Sequence, residues 1–80
     1  MPLVFRWNGY GFFFYSNEGD PREPVHIHVR SGRDNAKFWL YPEVSVAYNK
    51  GFSPRVQSEL IGVIAARRQE IEDTWNDHFS

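Results

Sequence analysis

His26 and His28 occupy alternate positions in the stretch EPVHIHVR, residues 23–30. If that stretch is a strand, both imidazoles project from one face, about 6.5–7 Å apart along the chain. Arg30 follows on the same side. Two imidazoles at this spacing are compatible with three kinds of work. They can offer two nitrogens to a divalent metal, which needs a third or fourth ligand to complete the site. Glu18, Asp20 and Glu23 lie in the preceding loop and His78 is near the C-terminus, but none stands at a diagnostic metal-ligand spacing. The pair can also act as general base and general acid on a phosphodiester, with Arg30 or Lys37 stabilising phosphate charge. Lastly, the face can bind without chemistry, stacking bases on aromatic rings and holding phosphates with cations, or burying itself against a partner protein. A histidine-triad phosphate site requires a third histidine two residues on, where this chain has Arg30. Strand histidines also serve simply as packing groups that hydrogen-bond locally.

The candidate residues therefore comprise His26 and His28 for catalysis, and Arg30, Lys37, Trp39 and Tyr41 for binding. No metal set is assigned, and His26 with His28 is the only place where a divalent ion is considered.

The rest of the chain must position this face. Eighty residues make one domain, 1–80, and a chain of that size buries roughly 60–65% of its unfolded surface. Aromatic content is high at 18%, which helps a small core because rings bury much area per residue. The absence of cysteine excludes disulfide stapling and thiolate metal sites and suits a cytoplasmic location. No apolar run approaches the ~20 residues of a membrane helix. With nine Lys and Arg against ten Asp and Glu, the formal net charge is −1, so nucleic-acid binding requires a local basic patch.

The elements divide into a sheet over about 3–48 and a helix over about 54–79. LVFRW and GYGFFFYS pair around Asn8-Gly9, a strong signal for a two-residue hairpin. NEGDPREP reads as a polar loop. VHIHVR is the third strand, with Val25, Ile27 and Val29 facing opposite to His26, His28 and Arg30. SGRDN is a turn, and AKFWLYP a strand that places Lys37, Trp39 and Tyr41 on one side. EVSVAY supplies a short fifth strand, and Asn49-Lys50-Gly51 a turn leading into the helix. Ser53 caps that helix and Pro54 opens it. Val56, Leu60, Val63, Ile64, Ile71, Trp75 and Phe79 form one apolar stripe. Arg67 and Arg68 interrupt it, which points to an arginine stem laid along the sheet edge. The expected fold is α+β: an antiparallel meander of four or five strands with one long C-terminal helix across one face. The helix covers the Val25/Ile27/Val29 face and leaves the His26/His28/Arg30 face open.

The order of GYGFFFYSNE, DPREPVHIHV, AKFWLYP, VAYNKGFS and EIEDTWNDHF resembles the small prokaryotic domain-of-unknown-function family 4160. That family usually carries Pro-Pro-His-x-His, whereas here Val25 separates Pro24 from His26. The resemblance implies a compact bacterial protein encoded beside a second small protein, in pairs that look like toxin–antitoxin modules. By that analogy the chain is one member and binds the other. It marks His26 and His28 as motif positions and assigns them no role.

Overall fold

The computed structural model describes residues 3–18 and 23–79. Five strands form one antiparallel sheet in the order β1-β2-β3-β4-β5: Leu3–Trp7, Tyr10–Phe13, His26–Ser31, Asp34–Trp39 and Ser45–Lys50. A 3-10 turn at Ser16–Glu18 follows β2. Asp20, one of the acids considered near the histidines, lies outside the described residues.

The two tight turns follow from residues that tolerate positive φ. Asn8 and Gly9 sit at φ 53° and 83° between the paired Trp7 and Tyr10, as a two-residue hairpin requires. Gly32, at φ 60°, plays the equivalent part between Ser31 and Asp34. This second turn is tighter than expected, so Asp34 and Asn35 belong to β4. At the other end of the sheet, Asn49 and Lys50 extend β5 through the positions expected to turn.

The core lies between the sheet and the helices. Phe5, Phe12, Ile27, Val29, Ala36 and Phe38 bury their side chains on one sheet face, against Leu60, Ile64, Ile71 and Trp75 from the C-terminal segment. Three consecutive phenylalanines, 12 to 14, are all buried, because this stretch, β2 and the residue after it, is packed on both sides.

The C-terminal segment is two helices rather than one. α1 spans Pro54–Ala66 and α2 spans Arg68–Phe79, and the run is interrupted at Arg67, with φ −114° and ψ 22°. The break falls at the two arginines that interrupt the apolar stripe. Neither guanidinium enters the core. That of Arg67 lies 3.6 Å from the centroid of the Phe5 ring and pairs with Glu70 at 2.9 Å. That of Arg68 lies 5.0 Å from the Tyr41 ring and donates to the Leu40 carbonyl at 3.4 Å. Ile64 before the break and Ile71 after it both remain buried. Ser53 caps α1, accepting from the Val56 N–H at 3.2 Å. No helix among the described residues is long and apolar enough to cross a membrane.

Asn49 ties sheet to helix. Its Nδ2 donates to the Phe52 carbonyl at 3.0 Å and to Gln57 Oε1 at 2.8 Å, and its Oδ1 accepts from the Phe52 N–H at 3.0 Å. Removing one partner of a half-buried network leaves the others unsatisfied. Asn49→Ala is expected to cost about 1–3 kcal/mol in urea unfolding, and Trp75→Ala about 3–5 kcal/mol.

Candidate functional site

Pairing decides which side chains share the face without helices. His26 lies opposite Trp39, His28 opposite Lys37, and Arg30 opposite Asn35. On the other side Phe13 lies opposite His28 and Gly11 opposite Arg30. Arg6 lies opposite Gly11, while Tyr48 and Lys50 pair with Lys37 and Asn35. Residues directly opposite in an antiparallel pair point to the same side. The structure thus gathers His26, His28, Arg30, Lys37 and Trp39 on one face, as their alternation predicts. It adds Arg6, Phe13, Tyr48 and Lys50, which sequence reasoning did not select.

Tyr41 does not belong to this group. It lies beyond β4, followed by the cis Tyr41–Pro42 bond, and its hydroxyl donates to Glu72 of α2 at 2.7 Å. That hydrogen bond to a carboxylate raises the Tyr41 pKa above the ordinary tyrosine value.

The histidines are not open to solvent, contrary to the expectation for this face. His26 is 0% exposed and His28 4%. The cause is a collar of rings. His28 stacks beside Phe13 with centroids 5.5 Å apart and meets Tyr15 edge-on at 4.6 Å. His26 meets His28 at 5.1 Å, Trp39 at 5.6 Å and Trp75 of α2 at 4.9 Å, each edge-on. Trp75 also meets Phe14, at 5.1 Å, so one indole touches both the helix-side core and His26. His26 Nδ1 lies 2.9 Å from the Pro24 carbonyl, which can only accept, so this nitrogen carries the hydrogen. The Tyr48 hydroxyl lies 3.5 Å from His28 Nδ1.

The cations on this face differ in their engagements. Lys37 pairs with Glu23 at 2.9 Å and sits 4.4 Å from the Trp39 centroid, so its charge is largely compensated. Arg30 lies over the Phe13 ring at 5.9 Å and Lys50 over Tyr48 at 5.5 Å. Among the described residues, Arg6, Arg30 and Lys50 make no ion pair. The charged strand residues are Arg6, Arg30, Asp34, Lys37 and Lys50. All four cations fall on the helix-free face, whereas Asp34 alternates onto the other. A net charge near zero thus conceals a basic face. The readable signal was the period-2 pattern applied to every strand, β1 and β5 included.

Among the described residues, no group of three or more His, Cys, Asp or Glu is placed to hold a metal ion. The arrangement offers stacking surfaces and cations, over a buried pair of imidazoles.

The family model described as a domain of unknown function, DUF4160, matches residues 9–76. No curated protein and no solved structure matches this chain.

Two expectations follow from this geometry. In a diethylpyrocarbonate time course followed by peptide mass spectrometry, exposed His78 is modified rapidly, and His26 and His28 at least tenfold more slowly. In a spectrophotometric alkaline titration, Tyr41 ionises above the ordinary tyrosine range, and Glu72→Gln lowers its midpoint.

Proposed function

This chain belongs to the DUF4160 family, and from the basic, aromatic face of its sheet we propose that it is a binding protein that takes a single strand of nucleic acid across that face. The observation that carries this reading is the sorting of charge. Every strand cation lies on the helix-free side, beside the part-exposed rings of Tyr15, Trp39 and Tyr48. Single-strand binders combine those two features: cations follow the phosphates, and bases stack on ring faces. An antiparallel sheet with helices on one side leaves the cations and the part-exposed rings of the other side facing outward.

Burial supports binding over catalysis by the histidines. A general acid or base must come within about 2.6–3.2 Å of the proton it transfers. His26 and His28 sit beneath Trp39, Tyr15 and Tyr48, so their work on this reading is to hold those rings in place. Arg30 and Trp39 remain in the binding surface, joined by Lys50 and Tyr48. Lys37 acts chiefly by fixing the Trp39 ring, and Tyr41 is assigned to the α2 contact.

A second reading, membership of a two-protein module of toxin–antitoxin type, is favoured by the free edges of the sheet. β1 and β5 each lack a strand neighbour on one side among the described residues, and an unpaired edge is a template for another chain. On this reading, co-expression with a small protein encoded beside it yields a complex that comigrates in size-exclusion chromatography. Separate elution removes the reading.

The main proposal is tested by fluorescence anisotropy with a uridine-rich oligoribonucleotide and its DNA counterpart. Trp39→Ala and Tyr48→Ala are each expected to weaken binding by roughly 5- to 100-fold, corresponding to about 1–3 kcal/mol for a stacked base. Lys50→Gln should reduce the slope of log K against log salt by about 0.7. Absence of salt-dependent binding to either strand would overturn the proposal.

A further inference from the structure

At one corner of the basic face the sheet is hollow. Arg6, Gly11 and Arg30 are direct cross-strand neighbours on β1, β2 and β3. The central position carries no side chain, so a gap separates two arginines whose backbones stand about 10 Å apart, two strand spacings. The result is a groove of about 400 Å³ lined by Leu3, Arg6, Gly11, Phe13 and Arg30, with Gly9 and Ser31-Gly32 of the two hairpin turns closing its end.

The lining dictates the chemistry of an occupant. Among the described residues it holds two guanidiniums and no carboxylate. A guanidinium presents a planar fork of donors that matches the oxygens of a phosphate. Two of them around one gap suit a group carrying close to two negative charges. An internal phosphodiester carries one, whereas a phosphate monoester carries about 1.5–2 at neutral pH. Leu3, 49% exposed, and the Phe13 ring supply an apolar surface for the body that bears the phosphate. The position of the groove agrees with this. It lies at the margin of the sheet, walled by both turns, where a strand crossing the face runs out.

We propose that the Arg6–Gly11–Arg30 groove is a binding site for a terminal phosphate monoester, borne by the end nucleotide of the strand that lies across the sheet. This rests on the nucleic-acid reading of the same face. Gly11 is the buried floor of the site, with Leu3 and Arg6 leaning over it: a Cβ there meets Leu3 Cδ1 at 3.6 Å and Arg6 Nη1 at 3.8 Å, ordinary contacts that the fold tolerates. Larger side chains at position 11 fill the groove.

The test compares oligoribonucleotides of one sequence carrying a monophosphate at the 5′ end, at the 3′ end, or at neither, with free uridine monophosphate as the small-molecule arm. One phosphorylated form is expected to bind the wild-type protein at least tenfold more tightly than the hydroxyl-ended form. Arg6→Gln, Arg30→Gln and Gly11→Val should each erase that preference; Gly11→Val leaves the hydroxyl-ended form within about threefold of its wild-type affinity, whereas the two arginine variants, which also belong to the basic face, weaken it as well. Unchanged thermal melting of Gly11→Val excludes misfolding as the cause. Equal binding of all three ends by the wild type overturns the proposal and leaves the single-strand reading intact. Failure of every oligonucleotide to bind overturns both. Uridine monophosphate binding as tightly as the phosphorylated strand overturns the strand end as the source of the monoester.

Discussion

The constraint on which the structure depends is that a single sheet has two faces and the C-terminal helices cover only one. Among the described residues, no second layer covers the other face. The uncovered face is instead roofed in part by its own rings, and the row from Phe13 through His28 and His26 to Trp39 is that roof. Trp75 joins it to the core, because its indole meets Phe14 on the helix side and His26 on the other. The two sides of the sheet are thereby packed against one shared residue, and loosening either disturbs both.

Imidazole suits this position better than an aliphatic group would. A leucine or valine at 26 or 28 fills space but cannot stack flat beside Phe13 or present an edge to an indole. A phenylalanine does both but has no polar atom for the chain that leads into β3. His26 does, through the Nδ1 contact with the Pro24 carbonyl. Val25 stands between Pro24 and His26, and the bond runs from the side chain to the backbone carbonyl two residues back.

Most of the architecture was readable because it follows from local chemistry. Asn8-Gly9 specifies the first hairpin, the alternation at 25–30 specifies the faces of β3, and Ser53-Pro54 specifies the start of α1. What escaped reading depends on contacts between distant segments. The break falls at Arg67, where both arginines find partners off the apolar stripe: Phe5 and Glu70 for one, Leu40 and Tyr41 for the other. The burial of the histidines requires Trp75 and Tyr15 to arrive from α2 and from the segment after β2. No period within VHIHVR reports that. Tyr41 continues the odd-numbered alternation of β4, but pairing ends at Trp39, so the face assignment does not extend to it.

The same division explains why Arg6 was overlooked. Alone on β1 it is an ordinary exposed arginine. It acquires meaning when Gly11 is placed between it and Arg30, and that placement is set by register. The bulge between Leu3 and Phe5 precedes this row; from Phe5 onward the Asn8-Gly9 turn fixes Trp7 opposite Tyr10 and hence Arg6 opposite Gly11. Register between β2 and β3 is set by the burial of Phe12 with Val29 on the core face. A slip of one residue in either pair would send an arginine toward the helices and close the gap with a side chain. The hollow corner is therefore a consequence of the same phenylalanine core that holds the sheet together, and changes in that core should be felt at the groove before they are felt at Trp39 and Tyr48 on the far strands.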